Sequence, residues 1–174
     1  MPKVGSTHYA YTAAGKKAAA AARKAGKGKS KPKSPRKSKL SYTADNWPAD
    51  RWPNFSFTET ACSETGECAM DKATMDRLQL LRSHYGSPLT VTSGYRSPLH
   101  SIEAAKTTGP ASHATGRAVD IACAGVDAFE ILTEALAVGF TGIGVKQKGE
   151  HRFLHLDDLG LGEHTAPRPT IWSY

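Results

Sequence analysis

The sequence contains few cysteines and no long apolar run. Its three cysteines, Cys62, Cys68 and Cys123, form no CxxC pair, which excludes a disulfide-rich scaffold and gives little support to a cysteine zinc site. A Cys62–Cys68 disulfide stays open, although buried structural thiols are the simpler interpretation. No segment is long and apolar enough to span a membrane. The first residues also lack the apolar core of a signal peptide, so we expect synthesis in the cytoplasm without export by that route.

Acidic residues are absent from the first 40 residues. That segment holds twelve Lys or Arg, which leaves eleven basic residues against all sixteen acidic ones in residues 41–174, a net charge of −5. Residues 1–44, rich in Lys, Ala and Pro, are predicted to form a disordered basic tail because they bury too little apolar surface to fold alone. Such a tail either solvates the protein or binds polyanions. The absence of acids favours an anionic polymer as partner of residues 1–40: cell wall, membrane surface or nucleic acid.

Two helices are predicted in the rest of the chain. The first covers residues 72–85 and begins after Asp71, whose side chain is suited to cap it. The second follows the segment VDAFEILTEALAVG. Its apolar spacing predicts that Phe129, Leu132 and Leu136 point inward.

Four short strands accompany these helices. They are predicted around residues 89–92, over residues 117–123, and in FTGIGVK and HRFLHLD on either side of a KGE hairpin turn. The order helix, strand, strand, helix, strand, strand predicts an α+β domain over residues 45–174, with a small, mostly antiparallel sheet flanked by helices. The segment DNWPADRWPNFSF before them is expected to be extended and anchored by its aromatics.

Two segments place metal-ligand types at strand or turn edges. SHATGRAVD contains His113 and Asp120, and RFLHLDD contains His155. RAVDIAC alternates like a strand, so Asp120 projects from the face opposite to Val119 and Ile121. Two imidazoles and one carboxylate are a common ligand set for catalytic zinc, which keeps a fourth position for water.

The same motifs resemble a known superfamily. SHATGRAVD matches the SxHxxGxAxD motif of the zinc D-Ala-D-Ala carboxypeptidases and L-alanyl-D-glutamate endopeptidases, a group that includes phage endolysins. TSGYRSP resembles its SGYR segment, FLHLDD its third-ligand strand, and RPTIWSY the aromatic end of its compact subgroup. The resemblance runs from about Phe55 to Tyr174 and implies the hedgehog/DD-peptidase fold.

The resemblance also implies the chemistry of the site. One zinc ion per chain is expected on His113, Asp120 and His155, where it polarises the scissile carbonyl and activates water. Arg96 in SGYR matches the arginine that pairs with a substrate carboxylate or the developing oxyanion, a task that suits a planar and permanently charged group.

Three further residues are predicted to support this site. Ser93 and Ser112 are candidate hydrogen-bond donors to substrate at its rim, although either is also a common turn residue. Asp157 shares a strand face with His155 and is a candidate acceptor for its ring, as an alternative to an exposed acid at a strand end.

The general base is where the sequence departs from better-known relatives. Many of them carry an acid three residues before the last histidine, and others a histidine two residues before it; here those positions are Arg152 and Phe153. The nearest candidates are Glu150 and His151. Alternation places His151 on the metal-facing side of the strand, and Glu150 is slightly preferred because it reaches in from the turn.

The sequence thus predicts a monomeric zinc metallopeptidase that cleaves the stem or cross-link peptides of bacterial peptidoglycan. The size and the lack of a signal peptide suit a phage-encoded lysin that acts on the host wall or is associated with the virion. Two alternatives stay open. One is a catalytically inactive zinc-bearing binding module, and the other is a nucleic-acid or polyanion-binding protein that acts through its tail.

Overall fold

The structure, a computed structural model, describes residues 41–107, 111–163 and 167–174, together with residues 3, 4, 7, 8, 14 and 18. The chain forms two compact units, residues 1–38 and residues 39–174. In the first unit, β1 (Lys3–Val4) pairs in antiparallel fashion with β2 (Thr7–His8), and residues 14 and 18 are helical. The disorder predicted for the rest of residues 1–40, and their polyanion binding, lie outside the described residues, whereas residues 41–44 are described and belong to the second unit.

The described part of the second unit contains four helices and five strands. The helices are α1 (Phe57–Thr60), α2 (Lys72–Tyr85), α3 (Ser101–Ala104) and α4 (Val126–Ala137). The strands are β3 (Thr90–Ser93), β4 (Ala118–Ala122), β5 (Gly142–Lys146), β6 (Phe153–Asp157) and β7 (Thr170–Ser173). A 3₁₀ turn, His113–Thr115, precedes β4. This architecture confirms the predicted α+β class.

The five strands form one mixed sheet in the order β3-β4-β6-β5-β7. The pairs β3–β4, β4–β6 and β6–β5 are antiparallel, as the sequence predicts, whereas the edge strand β7 runs parallel to β5. In the register, Asp120 lies opposite His155, and His155 lies opposite Gly144. These positions therefore share one face of the sheet.

The opposite face of the sheet carries the core. Val119 and Ile121 in β4 pair with Leu156 and Leu154 in β6, and all four are buried. The side chains that α2 contributes to the same cluster are Met75, Leu78 and Leu81. The α4 helix packs against α2 and β6. Because the helices cover this face, the strand residues that alternate with the core positions point to the opposite face of the sheet.

The ends of α2 follow the predicted signals. The Asp71 carboxylate accepts hydrogen bonds from the backbone N–H groups of Ala73 and Thr74, at 2.9 and 3.2 Å, which satisfies donors that the first turn leaves unpaired. The helix stops at Gly86, whose φ of 75° is left-handed.

The α4 helix turns a different face to the core than the one predicted. Ala128, Ile131 and Ala135 are buried, whereas Phe129 is 72% and Leu136 48% exposed. Leu132 is only partly buried. The small alanines allow a close approach to the neighbouring elements, and the larger apolar side chains on the adjacent stripe are left outward.

The expected extended segment before α1 instead forms successive turns. Backbone N–H groups of Arg51 and Trp52 both donate to the Pro48 carbonyl, at 3.0 and 3.1 Å. Trp52 and Phe55 are buried, so the aromatics do anchor the segment. Tyr42, three residues before the predicted domain boundary, already lies in this core.

The thiols of Cys62, Cys68 and Cys123 are free. Cys62 and Cys68 are buried, as expected of structural thiols. No helix in the described ranges combines the length and the apolarity needed to cross a bilayer.

Candidate metal centre

His113 is presented by the 3₁₀ turn that leads into β4. Its Nδ1 lies 2.7 Å from the carbonyl oxygen of Gly94. Because a carbonyl only accepts, Nδ1 carries the proton and Nε2 presents a lone pair. Gly116 closes the turn with a φ of 75°, and a Cβ there would collide with the Ala69 carbonyl.

Asp120 and His155 face each other across β4 and β6. Asp120 Oδ1 lies 2.8 Å from His155 Nδ1 and 3.2 Å from His113 Nε2. The two imidazoles approach within 3.1 Å, between His113 Nε2 and His155 Nδ1. Three side chains separated by up to 42 residues thus converge on one point.

The far nitrogen of His155 also has defined partners. His155 Nε2 lies 3.3 Å from Asp157 Oδ2 and 3.2 Å from Ser112 Oγ. The carboxylate accepts the Nε2 proton, which leaves the Nδ1 lone pair directed at Asp120 and His113. Asp157 is fully buried, so it is not the exposed strand-end acid of the alternative interpretation.

The donor set fits a zinc ion. With these tautomers, three acceptor atoms meet with no proton between them, an arrangement that a cation relieves. Tetrahedral zinc, with bonds of about 2.0–2.1 Å, holds its ligand atoms about 3.3 Å apart. The observed separations of 2.8, 3.1 and 3.2 Å are close to that spacing. Nitrogen and carboxylate oxygen are also the ligand types that zinc accepts.

The protonation states suit metal binding as well. Burial lowers the pKa of His113, which keeps its imidazole neutral. Burial by itself would raise the pKa of Asp120, but the neighbouring imidazoles of His113 and His155 outweigh it and hold that pKa below its usual range. Burial opposes a charged His155, yet hydrogen bonds to Asp120 and Asp157 outweigh it and raise the pKa of this imidazole. A proton and a metal therefore compete for His155.

The three ligand residues line a cavity of about 480 Å³. Arg96 stands at its edge, where Nε donates to Ser93 Oγ and Nη2 to Asp120 Oδ2, both at 3.2 Å. The other described residues that line it are Lys106, Ala111, Ser112, Phe153, Arg168, Trp172 and Tyr174. The cavity therefore combines the three acceptors with cationic groups and aromatic walls.

The structure brings most of the predicted site residues together. The three ligands, Arg96 and Ser112 line the cavity, Ser93 contacts Arg96, and Asp157 contacts His155. The predicted bases are placed elsewhere. Glu150 and His151 are exposed in the turn before β6 and do not line the cavity. His151 has a φ of 51°, which breaks the alternation that the sequence pattern extended back from His155.

Sequence reasoning did not assign Arg168 behind the site, Lys106 at its rim, or the aromatic wall of Phe153, Trp172 and Tyr174. Arg168 contacts Asp157 through two nitrogen atoms, and Lys106 lines the cavity. No motif in the sequence around Lys106 indicates that this residue lines a cavity. For Arg168 an indirect signal is present in β5. Gly142 and Gly144 have no side chains, and Arg168 and Trp172 occupy the space that this leaves.

A comparison with protein families agrees with this geometry. The sequence profile of Peptidase M15 matches residues 53–157, a span that includes His113, Asp120 and His155. The chain belongs to the Peptidase M15 family. The match confirms the resemblance to zinc D-Ala-D-Ala carboxypeptidases and makes this Peptidase M15 chain a metallopeptidase by family.

The match ends at residue 157, so the Peptidase M15 region does not include Arg168, Trp172 or Tyr174. No curated protein matches the chain.

Proposed function

We propose that the chain is a zinc metallopeptidase that cleaves peptide bonds of bacterial peptidoglycan, as a D,D-carboxypeptidase or an endopeptidase of the endolysin type. One observation carries the proposal. The acceptor atoms of His113, Asp120 and His155 converge in a cavity that also holds the guanidinium of Arg96. A metal-ligand set beside a fixed cation suits hydrolysis of a peptide bond near a carboxylate.

His113, Asp120 and His155 would hold the zinc ion, one per chain. When bound, zinc would polarise a peptide carbonyl and lower the pKa of a water molecule at its open position. The protein prepares these ligands in advance, because Gly94 and Asp157 fix the orientation of the two imidazole rings.

Arg96 would bind the substrate. Its contacts with Ser93 and Asp120 hold the guanidinium at the cavity edge. A planar fork with a permanent charge suits a substrate carboxylate or the negative charge that develops on the carbonyl oxygen. Ser112, which also lines the cavity, would donate a hydrogen bond to the peptide.

The walls of the cavity suit a short peptide. Phe153, Trp172 and Tyr174 form an aromatic side, with ring centroids 5.2 Å apart between Phe153 and Tyr174 and 6.3 Å apart between Trp172 and Tyr174. Lys106 adds a second cation at the rim. Stem peptides of peptidoglycan offer both alkyl side chains and carboxylates to such a surface.

One observation favours a second candidate, a zinc-bearing binding module without peptidase activity. Among the described residues that line the cavity, Asp120 is the only carboxylate, and it belongs to the ligand set. A general base must lie within hydrogen-bond reach of the water it activates. The binding module needs no such group.

The basic tail would act separately from this site. Its twelve Lys or Arg without an acid suit an anionic wall polymer, an anionic membrane surface or nucleic acid. A compact lysin with such a tail suits a phage-encoded protein, made in the host cytoplasm, that acts on the cell wall or travels with the virion.

Digestion of purified muropeptides, followed by mass spectrometry, tests the proposal. We expect the full-length protein with one equivalent of zinc to release terminal D-alanine or to cut within the stem or cross-link. Asp120→Ala is the matched control, and it should lose both bound zinc and cleavage. Stoichiometric zinc without any cleaved peptide would point to the binding module, and a protein with neither would overturn both candidates.

A further inference from the structure

A buried ion pair lies behind the third ligand residue. Arg168 Nε donates to Asp157 Oδ1 at 2.8 Å, and Arg168 Nη2 donates to Asp157 Oδ2 at 2.6 Å. Arg168 is 5% exposed and Asp157 is fully buried. Two parallel hydrogen bonds fix the plane of the carboxylate as well as its position.

The same carboxylate reaches His155. Asp157 Oδ2 lies 3.3 Å from His155 Nε2, and the backbone N–H of Leu159 donates to Asp157 Oδ1 at 3.2 Å. An ionised carboxylate can only accept, so Asp157 favours the proton on Nε2, whereas Asp120 Oδ1, 2.8 Å from Nδ1, favours it on Nδ1 until a metal occupies that side. With a metal on the Asp120 side, Asp157 therefore holds the proton on Nε2 and leaves Nδ1 free to coordinate.

The surrounding structure reserves space for Arg168. Gly142 pairs with Asp157 across β5 and β6, and a Cβ there would collide with Arg168 Nε and Asp157 Oδ2. On its other side the guanidinium lies 5.2 Å from the Trp172 ring centroid, and that ring lies 5.4 Å from the ring of His155. Arg168 is thus enclosed by the elements that also contain the third ligand.

We propose that Arg168 is a positioning residue of the metal centre. Through Asp157 it holds the His155 imidazole in the tautomer and orientation that present Nδ1 to the metal. The inference rests on the proposed zinc site and deepens it. It also brings into the site a segment that lies beyond the family match over residues 53–157.

Zinc affinity of the full-length protein tests this role, measured by competition with a chromogenic chelator. Arg168→Met should bind zinc about 10–100-fold more weakly, the usual loss when a partner of a metal-ligating histidine is removed. Arg168→Lys should fall between Arg168→Met and the wild type, because it keeps the charge but lacks the two-point fork.

Arg117→Met is the matched control. Arg117 Nε donates to the neighbouring buried carboxylate of Asp158 at 2.8 Å, so this variant also removes an arginine from a buried aspartate. The Arg117→Met variant should have a lower free energy of unfolding and an unchanged zinc affinity. An equal loss of affinity in Arg117→Met would mean that any buried pair has this effect, and the positioning role would be overturned.

The tautomer of His155 provides a second readout, by ¹⁵N NMR of the metal-free protein at alkaline pH. We expect a larger fraction of the Nε2-protonated tautomer in the wild type than in either Arg168 variant. If Arg168→Met does not fold, Arg168→Lys decides the question. Wild-type affinity and an unchanged tautomer in Arg168→Lys would overturn the inference. A wild type that binds no zinc would instead refute the proposed function, and the tautomer would still report whether Arg168 sets the ring.

Discussion

At the scale of single residues, each imidazole of the metal centre is oriented by the partner of its outer nitrogen. The Gly94 carbonyl fixes His113, and the Asp157 carboxylate fixes His155. The ligand types could be predicted from sequence because motif and strand alternation place them. Asp157 could be predicted as well, because it shares a strand face with His155. The Gly94 carbonyl could not, since a backbone carbonyl leaves no mark in a sequence, and neither could Arg168, because the edge strand β7 beside it was not predicted.

Arg96 provides a prediction about substrate binding. Arg96→Met should lower kcat/KM on muropeptides by about 10²-fold, because a charged donor beside the reacting carbonyl is lost. At saturating zinc the site should stay loaded, since the guanidinium contacts Asp120 Oδ2 at 3.2 Å but is not itself a ligand. Lys106→Met is the control. It removes a cation from the same cavity and should lower kcat/KM by a smaller factor than Arg96→Met. Equal losses in the two variants would show that only the total positive charge matters.

The hairpin turn before β6 gives a second prediction. Glu150 and His151 are exposed and lie away from the cavity. The double variant Glu150→Gln/His151→Gln should therefore keep turnover within about threefold of the wild type, whereas loss of a general base costs about 10²-fold or more. Steady-state rates on muropeptides decide between these values. A loss of the larger size would restore the sequence-based assignment and require the turn to move during catalysis.

At the scale of helices and strands, the sequence predicts best those features that depend on neighbouring residues alone. Asp71 and the helix that follows it were predictable because capping is local. The alternation in β4 and β6 was equally clear. The inward face of α4 was not, because apolar residues lie on two adjacent stripes. The choice between them depends on how closely α4 approaches its neighbours, which favours Ala128 and Ala135 over the larger Phe129.

The two stripes of α4 can be compared directly. Ile131→Ala should lower the free energy of unfolding by about 2–4 kcal/mol, since it leaves a cavity in the core. Phe129→Ala should cost less than about 1 kcal/mol, because Phe129 is 72% exposed. Urea unfolding of both variants measures the difference. A larger loss in Phe129→Ala would return the helix to the sequence-based orientation.

A buried cluster joins α2 to the end of β6. Thr74 Oγ1 donates to Asp158 Oδ2 at 3.0 Å, Arg117 Nε donates to Asp158 Oδ1 at 2.8 Å, and Arg77 also contacts Asp158. Asp158→Ala should destabilise the protein by about 2–4 kcal/mol, because Arg77 loses its carboxylate partner and Arg117 keeps only that of Glu163.

An exposed ion pair provides the comparison for this cluster. His84 Nδ1 and Glu134 Oε2 lie 3.2 Å apart, with side chains 46% and 35% exposed. Glu134→Gln should change the stability by less than about 1 kcal/mol, as surface pairs do. Thermal unfolding of both variants tests the contrast, and similar shifts would show that burial does not determine the contribution.

At the scale of the whole molecule, charge divides the chain. Residues 1–40 contain only basic charges, while residues 41–174 carry a net charge of −5. Deletion of residues 1–40 should abolish retention on a nucleic-acid column at low salt, because the remaining unit is repelled by a polyanion. Zinc content and muropeptide cleavage should be unchanged. Retention that survives the deletion would place the polyanion site on the second unit.

The metal centre extends across the sheet in one register row: Ser93, Asp120, His155, Gly144 and Trp172 occupy matching positions on five strands. Insertion or deletion of a single residue within β4 or β6 would therefore invert the centre. Leu154 or Leu156 would turn into the cavity and His155 into the core. Loop lengths between these strands can vary during evolution or engineering, but an extra residue within β4 or β6 would need a bulge to absorb it, as between Val91 and Ser93 of β3.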